Sequence, residues 1–229
     1  VVARLGGDEF AMLVPAIDGR GHLAALAALL RAAIAVPFTI EGRTIHTAAS
    51  IGIVPLEAVP CSADPDDRLR AADLAMYEAK RTGHPVVYDA AMEAAATRRL
   101  RLEMDLRGAA ARGEFFLVYQ PIVRLTDGAL VSFEALLRWA HPELGPVGPA
   151  EFVVIAEESG QAAALDAWVL HEGCRQMRAW QDALGRPLPF TLSINTSGHE
   201  FHRPVSADLV LDALREHDLD PGRLQIEIT

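Results

Sequence analysis

The sequence Glu134-Ala135-Leu136-Leu137-Arg138-Trp139 sets one charged side chain, Glu134, within an apolar predicted strand, Leu130–Leu137, and a second, Arg138, directly after it. From Glu114 onward, short apolar segments of strand character alternate with longer segments of helical periodicity. The predicted strands are Phe115–Val123, Leu130–Leu137, Phe190–Asn195 and Leu224–Ile228, and the predicted helices are Pro149–Glu158, Leu165–Leu184 and Ser206–His217. A helix separates the last two strands, which predicts a parallel pair. Because a whole (β/α)₈ barrel takes about 250 residues, these 116 residues can supply only part of one.

The part of the chain before residue 114 mixes strands with helices in a different way. The predicted strands are Phe10–Val14, Phe38–Ile40, Thr44–Ile53 and Val86–Tyr88, and the predicted helices are His22–Ile34, Arg70–Arg81 and most of Asp89–Gly113. Glu41-Gly42 is typical of a hairpin turn. We therefore predict an α/β chain in three parts: a part of α+β character at 1–89, a solvated connecting helix at 90–113, and part of a barrel domain at 114–229.

Composition and charge exclude several classes of protein. The 229 residues are 51% hydrophobic and 23% charged, which is typical of a globular protein. A formal net charge of −10 disfavours extended nucleic acid as a partner. Cys61 and Cys174 form no CxxC pair, so the sequence indicates neither a disulfide framework nor a thiolate zinc site, and we expect a cytoplasmic protein.

The ends of the chain also lead to an expectation. Val1 is not an initiator methionine, and Leu224–Thr229 stops within a strand pattern. We expect both ends to be truncations. No apolar run is long enough to cross a bilayer, so any membrane anchor of the parent protein would lie outside these residues.

Three polar side chains lie on strands that are otherwise apolar: Glu134, Asn195 and Glu227. Burying a carboxylate is costly unless it is paired or bound to metal, and the strand ends at one mouth of a barrel are where catalytic groups collect. Carboxylate and amide oxygens suit Mg²⁺ or Mn²⁺ rather than zinc, and a pair of such ions can activate water against a phosphodiester. Arg138 is suited to clamp a phosphate. From the residues alone, structural salt bridges are an equally good interpretation.

A second acidic motif, Arg4-Leu5-Gly6-Gly7-Asp8-Glu9-Phe10, sets two glycines before two acids at the start of a strand. The glycines permit a sharp turn and a close approach of backbone to a ligand. Adjacent carboxylates can hold a divalent metal over a triphosphate. From this string alone, a β-hairpin with solvated acids is the favoured alternative.

The motif resembles the signature of the GGDEF diguanylate cyclases, which condense two GTP into cyclic di-GMP. Ala49–Ile53 and Ala72–Lys80 are similar to a later strand and helix of that family. The resemblance implies that Asp8 is a metal ligand and that Glu9 is a second acid of the site. It also implies that Lys80 contacts the triphosphate of GTP. His84 stands where the family has arginine, which weakens or removes one phosphate contact.

The C-terminal half resembles the EAL phosphodiesterases, which hydrolyse cyclic di-GMP to a linear dinucleotide. The resemblance is carried, in the family's order, by Tyr119–Val123, Glu134–Trp139, Ser193–Asn195 and Glu227–Thr229, with support from His141-Pro142 and Ala156–Gly160. It implies metal binding by Glu134, Asn195 and Glu227, with Glu134 also catalytic. It implies substrate contacts from Gln120, Leu136 and Arg138.

These resemblances lead to one expected function and two alternatives. We expect the parent to be a phosphodiesterase dependent on Mg²⁺ or Mn²⁺, with cyclic di-GMP as its ligand, a regulatory GGDEF part and a homodimer formed through the EAL domain. The alternatives are a diguanylate cyclase and a non-catalytic receptor of cyclic di-GMP. The resemblances imply that residues 1–89 are the C-terminal part of an α+β GGDEF domain and residues 114–229 the N-terminal part of an EAL (β/α)₈-type barrel. Because each family has motifs outside these residues, we expect the chain alone to be close to inert.

Two histidine features are interpreted as structural. His199-Glu200-Phe201-His202 lacks HExxH spacing, which indicates surface histidines rather than a metal site. His171, on the predicted helix Leu165–Leu184, is interpreted as a helix-face residue rather than a base.

Overall fold

The computed structural model describes residues 1–15, 20–60, 64–196 and 207–228. The chain divides into two compact units, unit 1 at residues 1–98 and unit 2 at residues 99–229. The boundary falls within a helix, Ala91–Leu106. Every helix in the described ranges is too short or too polar to span a membrane. The motif at 199–202 lies outside the described residues.

Unit 1 is built from short paired strands and helices. Its described elements are β1 (Val2–Gly6), β2 (Glu9–Met12), α1 (Arg20–Ile34), β3 (Phe38–Ile40), β4 (Arg43–Ile45), β5 (Gly52–Ile53), α2 (Pro65–Thr82), β6 (Val86–Val87) and the first half of α3 (Ala91–Leu106). The strands pair as β1–β2 and β3–β4, both antiparallel, and as β5–β6, which is parallel. The predicted turn at Glu41-Gly42 is confirmed, with φ of 50° and 79° at the two residues, as a type I′ turn requires.

Helix α2 shows how local sequence sets the ends of an element. Its N-cap is Asp64, whose side chain accepts a hydrogen bond from the backbone N of Asp66 at 3.1 Å. The backbone N of Asp64 in turn donates to the side chain of Asp67 at 3.2 Å, which completes a capping box. Gly83 ends the helix in the left-handed region, with φ of 75°. The helix therefore begins five residues before the predicted Arg70–Arg81.

The predicted strand Thr44–Ile53 is wrong in its middle. The structure has two separate strands there, since β4 ends at Ile45 and β5 begins at Gly52. The two strands pair with different partners, β3 and β6, so the intervening residues have no ladder to join. The sequence pattern also misses strand β1, and its antiparallel partner β2 ends at Met12 instead of Val14.

Unit 2 is a mixed sheet covered by helices. Its described elements, after the second half of α3, are β7 (Phe115–Val123), β8 (Leu130–His141), β9 (Gly145–Val147), α4 (Pro149–Glu158), α5 (Ala162–Leu184), β10 (Thr191–Thr196), α6 (Ala207–Glu216) and β11 (Leu224–Ile228). The strand order is β11-β10-β8-β7, and β9 pairs with β8. Strand β10 is parallel to both β8 and β11, while β7 is antiparallel to β8. The predicted parallel pair of the last two strands is confirmed.

Helix α5 packs on one face of the sheet. Its buried residues Leu170, Cys174 and Met177 share an apolar cluster with Leu192 and Ile194 of β10. Cys174 is a free cysteine, and burial raises the pKa of its thiol to about 11, with a smaller contribution from the carboxylate of Glu216. The thiol is therefore protonated at neutral pH and acts as part of the core.

A second apolar cluster corrects the interpretation of the connecting helix. Leu102 and Leu106 of α3 are buried with Trp139 of β8 and Phe152 of α4. The segment is therefore not a solvated connector throughout, because its C-terminal half contributes to the core of unit 2. Helix α3 also ends at Leu106, and the residues from there to Gly113 form turns.

Candidate active site

Strand β8 separates an apolar face of the sheet from a polar one. Phe133, Ala135 and Leu137 pack in the cluster with α5. Because side chains alternate along a strand, Glu134, Leu136 and Arg138 share the opposite face, where all three are half-buried. We call the sheet face opposite α5 the polar face, and its predicted site residues are Gln120, Glu134, Leu136, Arg138, Asn195 and Glu227.

The register of the sheet brings the polar residues of four strands together. Gln120 of β7 lies directly opposite Glu134 of β8. Ser193 of β10 is the partner of Glu134 on the other side, and Asn195 is the partner of Glu227 on β11. Each of these pairs shares one face of the sheet, since paired residues in a ladder point the same way. Residues far apart in the sequence, from Gln120 to Glu227, are thus carried by one continuous surface.

The central contact of the polar face joins two of the predicted metal ligands. The side-chain amide of Asn195 donates a hydrogen bond to Oε1 of Glu134 at 2.8 Å. Both side chains are half-buried, so they meet at a point partly withdrawn from solvent. Glu227 is also half-buried, one strand further along the sheet. The arrangement presents two carboxylates and one amide, a donor set of oxygens that suits a hard divalent cation.

Two polar residues next to the predicted metal ligands also belong to this face and were not in the predicted set. The amide of Gln225 lies 3.5 Å from Oε1 of Glu227. Ser193 is 1% exposed and lies beside Glu134. Both could have been found from the sequence, because side chains two residues apart on a strand share a face. Gln225 precedes Glu227 by two residues, and Ser193 precedes Asn195 by two.

Arg138 lies away from the acidic residues on the same face. It follows Glu134 by four residues, a separation of about 13 Å along an extended strand. Its Nη1 donates to the carbonyl oxygen of Leu137 at 2.8 Å, and its partner across the ladder is Phe116. The polar face therefore has an acidic centre and a cationic end.

The position of Glu134 within its strand corrects one expectation. Strand β8 does not end at Leu137 but continues to His141, because its last residues pair with both β7 and β9. Glu134 therefore lies in the middle of β8 rather than at its end. Asn195 and Glu227 do lie near the C-terminal ends of β10 and β11.

A partly buried polar network holds the strand that carries Arg138. The indole Nε1 of Trp139 donates to Oε2 of Glu114 at 3.0 Å, and Arg112 donates to the same carboxylate at 3.2 Å. Hydrogen bonding from Arg112, and less strongly from Trp139, holds the pKa of Glu114 below its usual range. The ionised carboxylate fixes the orientation of Trp139, the residue next to Arg138.

The end of β8 is fixed by a second network. Nδ1 of His141 accepts hydrogen bonds from the backbone N of Glu143 and of Leu144, each at 3.1 Å. Nε2 therefore carries the ring hydrogen, and it lies 3.0 Å from Oδ2 of Asp105 on α3. Arg101 also pairs with Asp105 and is the main cause of a lowered pKa of that carboxyl. Helix α3 is thereby tied to the β8–β9 hairpin.

The residues predicted for the first motif belong to unit 1. Asp8 occupies the tip of the β1–β2 hairpin and Glu9 begins β2, and both are exposed. The tip is shaped by Gly7, with φ of 52°, whose carbonyl accepts hydrogen bonds from Nε and Nη2 of Arg4 at 3.0 and 2.6 Å. Lys80 lies exposed in the last turn of α2. Among the described residues, no hydrogen bond or ion pair joins Asp8, Glu9 and Lys80.

Comparison with known families and proteins places both parts of the chain. Residues 103–229 match the family described as the EAL domain, and residues 1–85 match the diguanylate cyclase GGDEF domain. The chain is 38% identical over its whole length to the bifunctional diguanylate cyclase/cyclic di-GMP phosphodiesterase MucR of Pseudomonas aeruginosa, covering 33% of that protein. It is 33% identical over its whole length to the cyclic di-GMP phosphodiesterase NbdA of the same organism, covering 29%. The chain thus spans about a third of the length of these curated relatives.

A solved structure of a relative shares the fold. The MucR phosphodiesterase in complex with c-di-GMP matches with a TM-score of 0.51 and 39% sequence identity. The match covers 55% of this chain and 50% of that one.

Proposed function

We propose that this chain, which belongs to the EAL domain family, is part of a metal-dependent phosphodiesterase that hydrolyses cyclic di-GMP to a linear dinucleotide. The observation that carries the proposal is the contact between Asn195 of β10 and Glu134 of β8 at 2.8 Å, with Glu227 in register beside Asn195. The names of MucR and NbdA, which include a cyclic di-GMP phosphodiesterase activity, support it.

The donor atoms of the polar face support a divalent metal ion as the cofactor. Glu134, Asn195 and Glu227 offer carboxylate and amide oxygens, and none of the three is a soft ligand. We assign them to hold the ion, with Mg²⁺ or Mn²⁺ as the candidates. A metal bound there would supply Lewis acidity, lowering the pKa of a bound water and neutralising charge on the phosphodiester.

The remaining residues of the polar face suit the binding of an anionic dinucleotide. The planar guanidinium of Arg138 can donate two parallel hydrogen bonds to a phosphate. Gln120 lies opposite Glu134, where its amide can orient a substrate oxygen near the acidic centre. Leu136 lies between Glu134 and Arg138 on the same face and provides an apolar contact for a base or ribose. The half-buried setting of Arg138 strengthens its attraction for phosphate relative to a fully solvated side chain.

The proposal is tested by the substitution Glu134→Ala. Hydrolysis of cyclic di-GMP is followed by chromatography in the longest natural polypeptide that contains these 229 residues, with Mg²⁺ or Mn²⁺ present. We expect the rate of hydrolysis to fall by about 100-fold or more. Removing a residue that only supports a metal ligand typically costs up to about 100-fold in activity, and removing the ligand itself costs at least as much. Calorimetric titration with Mn²⁺ should show weaker binding in the same variant.

A matched control removes a carboxylate elsewhere in unit 2. Glu143 is 67% exposed at its side chain and pairs with Arg101, away from the polar face. Glu143→Ala should leave turnover within about twofold of the wild type. Turnover in Glu134→Ala at the wild-type rate would refute the proposal, and binding without turnover in the wild type would favour a receptor.

A regulatory role is proposed for unit 1, with cyclase activity as the second candidate function. The match of residues 1–85 to the GGDEF domain and the exposed Asp8 and Glu9 at a glycine-shaped tip favour a site for GTP. In that case Asp8 would bind metal, Glu9 would be the second acid and Lys80 would contact the triphosphate. Production of cyclic di-GMP from GTP that is abolished by Asp8→Ala would identify a cyclase. If the wild type makes no cyclic di-GMP from GTP, the regulatory role is favoured.

A further inference from the structure

A cluster of two histidines and a glutamate lies between helices α5 and α6 of unit 2, away from the residues assigned above. His171 belongs to α5, Glu216 is the last residue of α6, and His217 follows it. One ligand atom from each residue lies within 4.8 Å of the other two. The imidazole rings of His171 and His217 are 6.4 Å apart and inclined at 69°.

The spacing of the cluster matches the dimensions of a four-coordinate metal site. Zinc bonds to nitrogen and oxygen of about 2.0–2.2 Å, arranged as a tetrahedron, set neighbouring ligand atoms about 3.3 Å apart. Nδ1 of His171 lies 3.4 Å from Oε2 of Glu216, so one edge of the tetrahedron is already formed. The other two distances among the three ligand atoms are at most 4.8 Å. They would need to shorten by at most about 1.5 Å to reach the tetrahedral value. Side-chain rotation can supply this without movement of either helix.

The backbone that carries Glu216 and His217 is held in place. The backbone N of His217 donates to Ala213 at 3.3 Å, and the backbone N of Leu219 donates to Leu214 at 3.0 Å. Ala213, Leu214 and Leu219 are buried in the cluster that packs against α5. The backbone that carries these ligands is therefore already ordered, so binding an ion would require ordering of the side chains alone.

The charges around the cluster also favour a cation. Glu216 and His217 lie at the C-terminal end of α6, where the helix dipole is negative. The neighbouring arginines of α5 are already paired, Arg175 with Glu172 at 2.6 Å and Arg178 with Asp218 at 3.1 Å. Their positive charge is therefore largely compensated.

We propose that His171, Glu216 and His217 bind one divalent transition-metal ion of the zinc class. Two imidazole nitrogens and one carboxylate form a borderline ligand set, which selects zinc over magnesium, whereas the all-oxygen set of the polar face has the opposite preference. The side chains of His171 and Glu216 are 41% and 64% exposed, so water can complete the coordination. The ion would link α5 to α6 and stabilise the folded state of unit 2 by binding it in preference to the unfolded chain.

The test uses the 229-residue chain and Zn²⁺ alone as the ligand. Isothermal titration calorimetry is run in excess Mg²⁺, which occupies oxygen sites. We expect the wild type to bind one more equivalent of Zn²⁺ than His171→Ala or His217→Ala, and Glu216→Gln to bind it about 10-fold more weakly or worse. Zn²⁺ should raise the midpoint of thermal unfolding of the wild type but not of His217→Ala.

The matched control is His46→Ala, which removes an exposed histidine of unit 1 and should leave zinc binding unchanged. Far-UV circular dichroism verifies that each variant is folded, and His171→Gln replaces His171→Ala if that variant is not. Equal zinc stoichiometry and affinity in the wild type and both histidine variants would overturn the proposal. Displacement of the extra zinc equivalent by Mg²⁺ would overturn it too.

Discussion

The two acidic motifs of the chain lie in very different surroundings. In unit 1, Asp8 and Glu9 lie on a two-stranded hairpin whose apolar side chains are also exposed, with Leu5 at 54% and Phe10 at 65%. In unit 2, Glu134 lies on a central strand whose next residue, Ala135, is 3% exposed. Both motifs combine acids with apolar residues, yet only the second is embedded in a sheet with neighbours on both sides.

The difference shows what surroundings add to a short motif. A hairpin sets only the local turn, as Gly7 does for Asp8. A sheet of several strands sets the positions of side chains from distant parts of the chain, as the contact of Asn195 with Glu134 shows. Precise chemistry therefore needs the second kind of support, because a catalytic group must be held by its neighbours.

The largest stability effect is expected from the aromatic core of unit 2. Phe152 is 0% exposed, and its ring centroid lies 5.9 Å from that of Phe115 and 5.7 Å from that of Trp139. Phe152→Ala should lower the free energy of unfolding of unit 2 by about 3–5 kcal/mol, because it removes buried surface and leaves a cavity. Urea unfolding followed by tryptophan fluorescence measures this, since all three tryptophans lie in unit 2.

The control for this variant is Phe116→Ala, at a side chain that is 47% exposed on β7. It should cost less than about 1 kcal/mol. Equal losses in the two variants would contradict the assignment of the core, and with it the contrast between the two units.

Alanine substitutions at two glycines, one in each unit, test how tightly each unit is packed around that position. Their expected effects on stability are smaller than that of Phe152→Ala. A Cβ on Gly52 of β5 would lie 2.3 Å from the backbone O of Ala72 and 2.4 Å from the backbone N of Met76, so α2 would have to move. Gly52→Ala should destabilise unit 1 by about 3 kcal/mol. A Cβ on Gly173 of α5 would instead meet the side-chain end of Ile194 at 2.9 Å, which can shift.

Gly173→Ala is therefore the milder change. The strain against Ile194 is offset by about 1 kcal/mol of improved helix propensity, so we expect a net effect within about 1 kcal/mol. Far-UV circular dichroism follows both units, and tryptophan fluorescence isolates unit 2. A larger cost for Gly173→Ala than for Gly52→Ala would reverse the comparison.

A smaller effect than that of Gly52→Ala is expected for the acid stability of unit 2. The pKa of Glu114 is lower in the folded state than in the unfolded chain, chiefly because of Arg112. Its stabilising contribution is therefore present above the ordinary carboxyl pKa of about 4.3 and is lost as the pH falls through the depressed value. Glu114→Gln should cost about 1–2 kcal/mol at pH 7 and show a weaker loss of stability below pH of about 4.

Urea midpoints measured between neutral and acid pH test this expectation. The control is Asp127→Asn, whose partner Arg124 forms a pair with both side chains at least half exposed. It should change stability by about 0.5 kcal/mol or less at any pH. The same pH dependence in Glu114→Gln and the wild type would show that the Arg112–Glu114–Trp139 network contributes nothing to acid stability.

Several elements were predictable because their causes are local. The strands Phe115–Val123 and Leu224–Ile228 and the helix Pro149–Glu158 have the predicted bounds. Their apolar patterns, together with Pro149 at the helix start, lie within a few residues of the ends that they set. The acids and amides of the polar face could be identified from the same strands.

Other features were not predictable because their causes are distant in the sequence. Strand β8 runs to His141 because β7 and β9 pair with its last residues, and the gap between β4 and β5 follows from their different partners. The burial of Leu102 and Leu106 depends on Trp139 and Phe152. Each of these features depends on which distant segments come into contact. The periodicity within a single segment does not contain that information.

The amino-acid sequence by itself determined the two motifs, the family resemblance and the alternation that sets Glu134, Leu136 and Arg138 on one face. Only the tertiary structure decided that Asn195 reaches Glu134 at 2.8 Å, and that His171 meets Glu216 and His217 between two helices. The physical reason is the range of the forces. Backbone geometry repeats about every two or 3.6 residues and can be read locally, whereas strand register and helix packing are set by burial summed over the whole of unit 2.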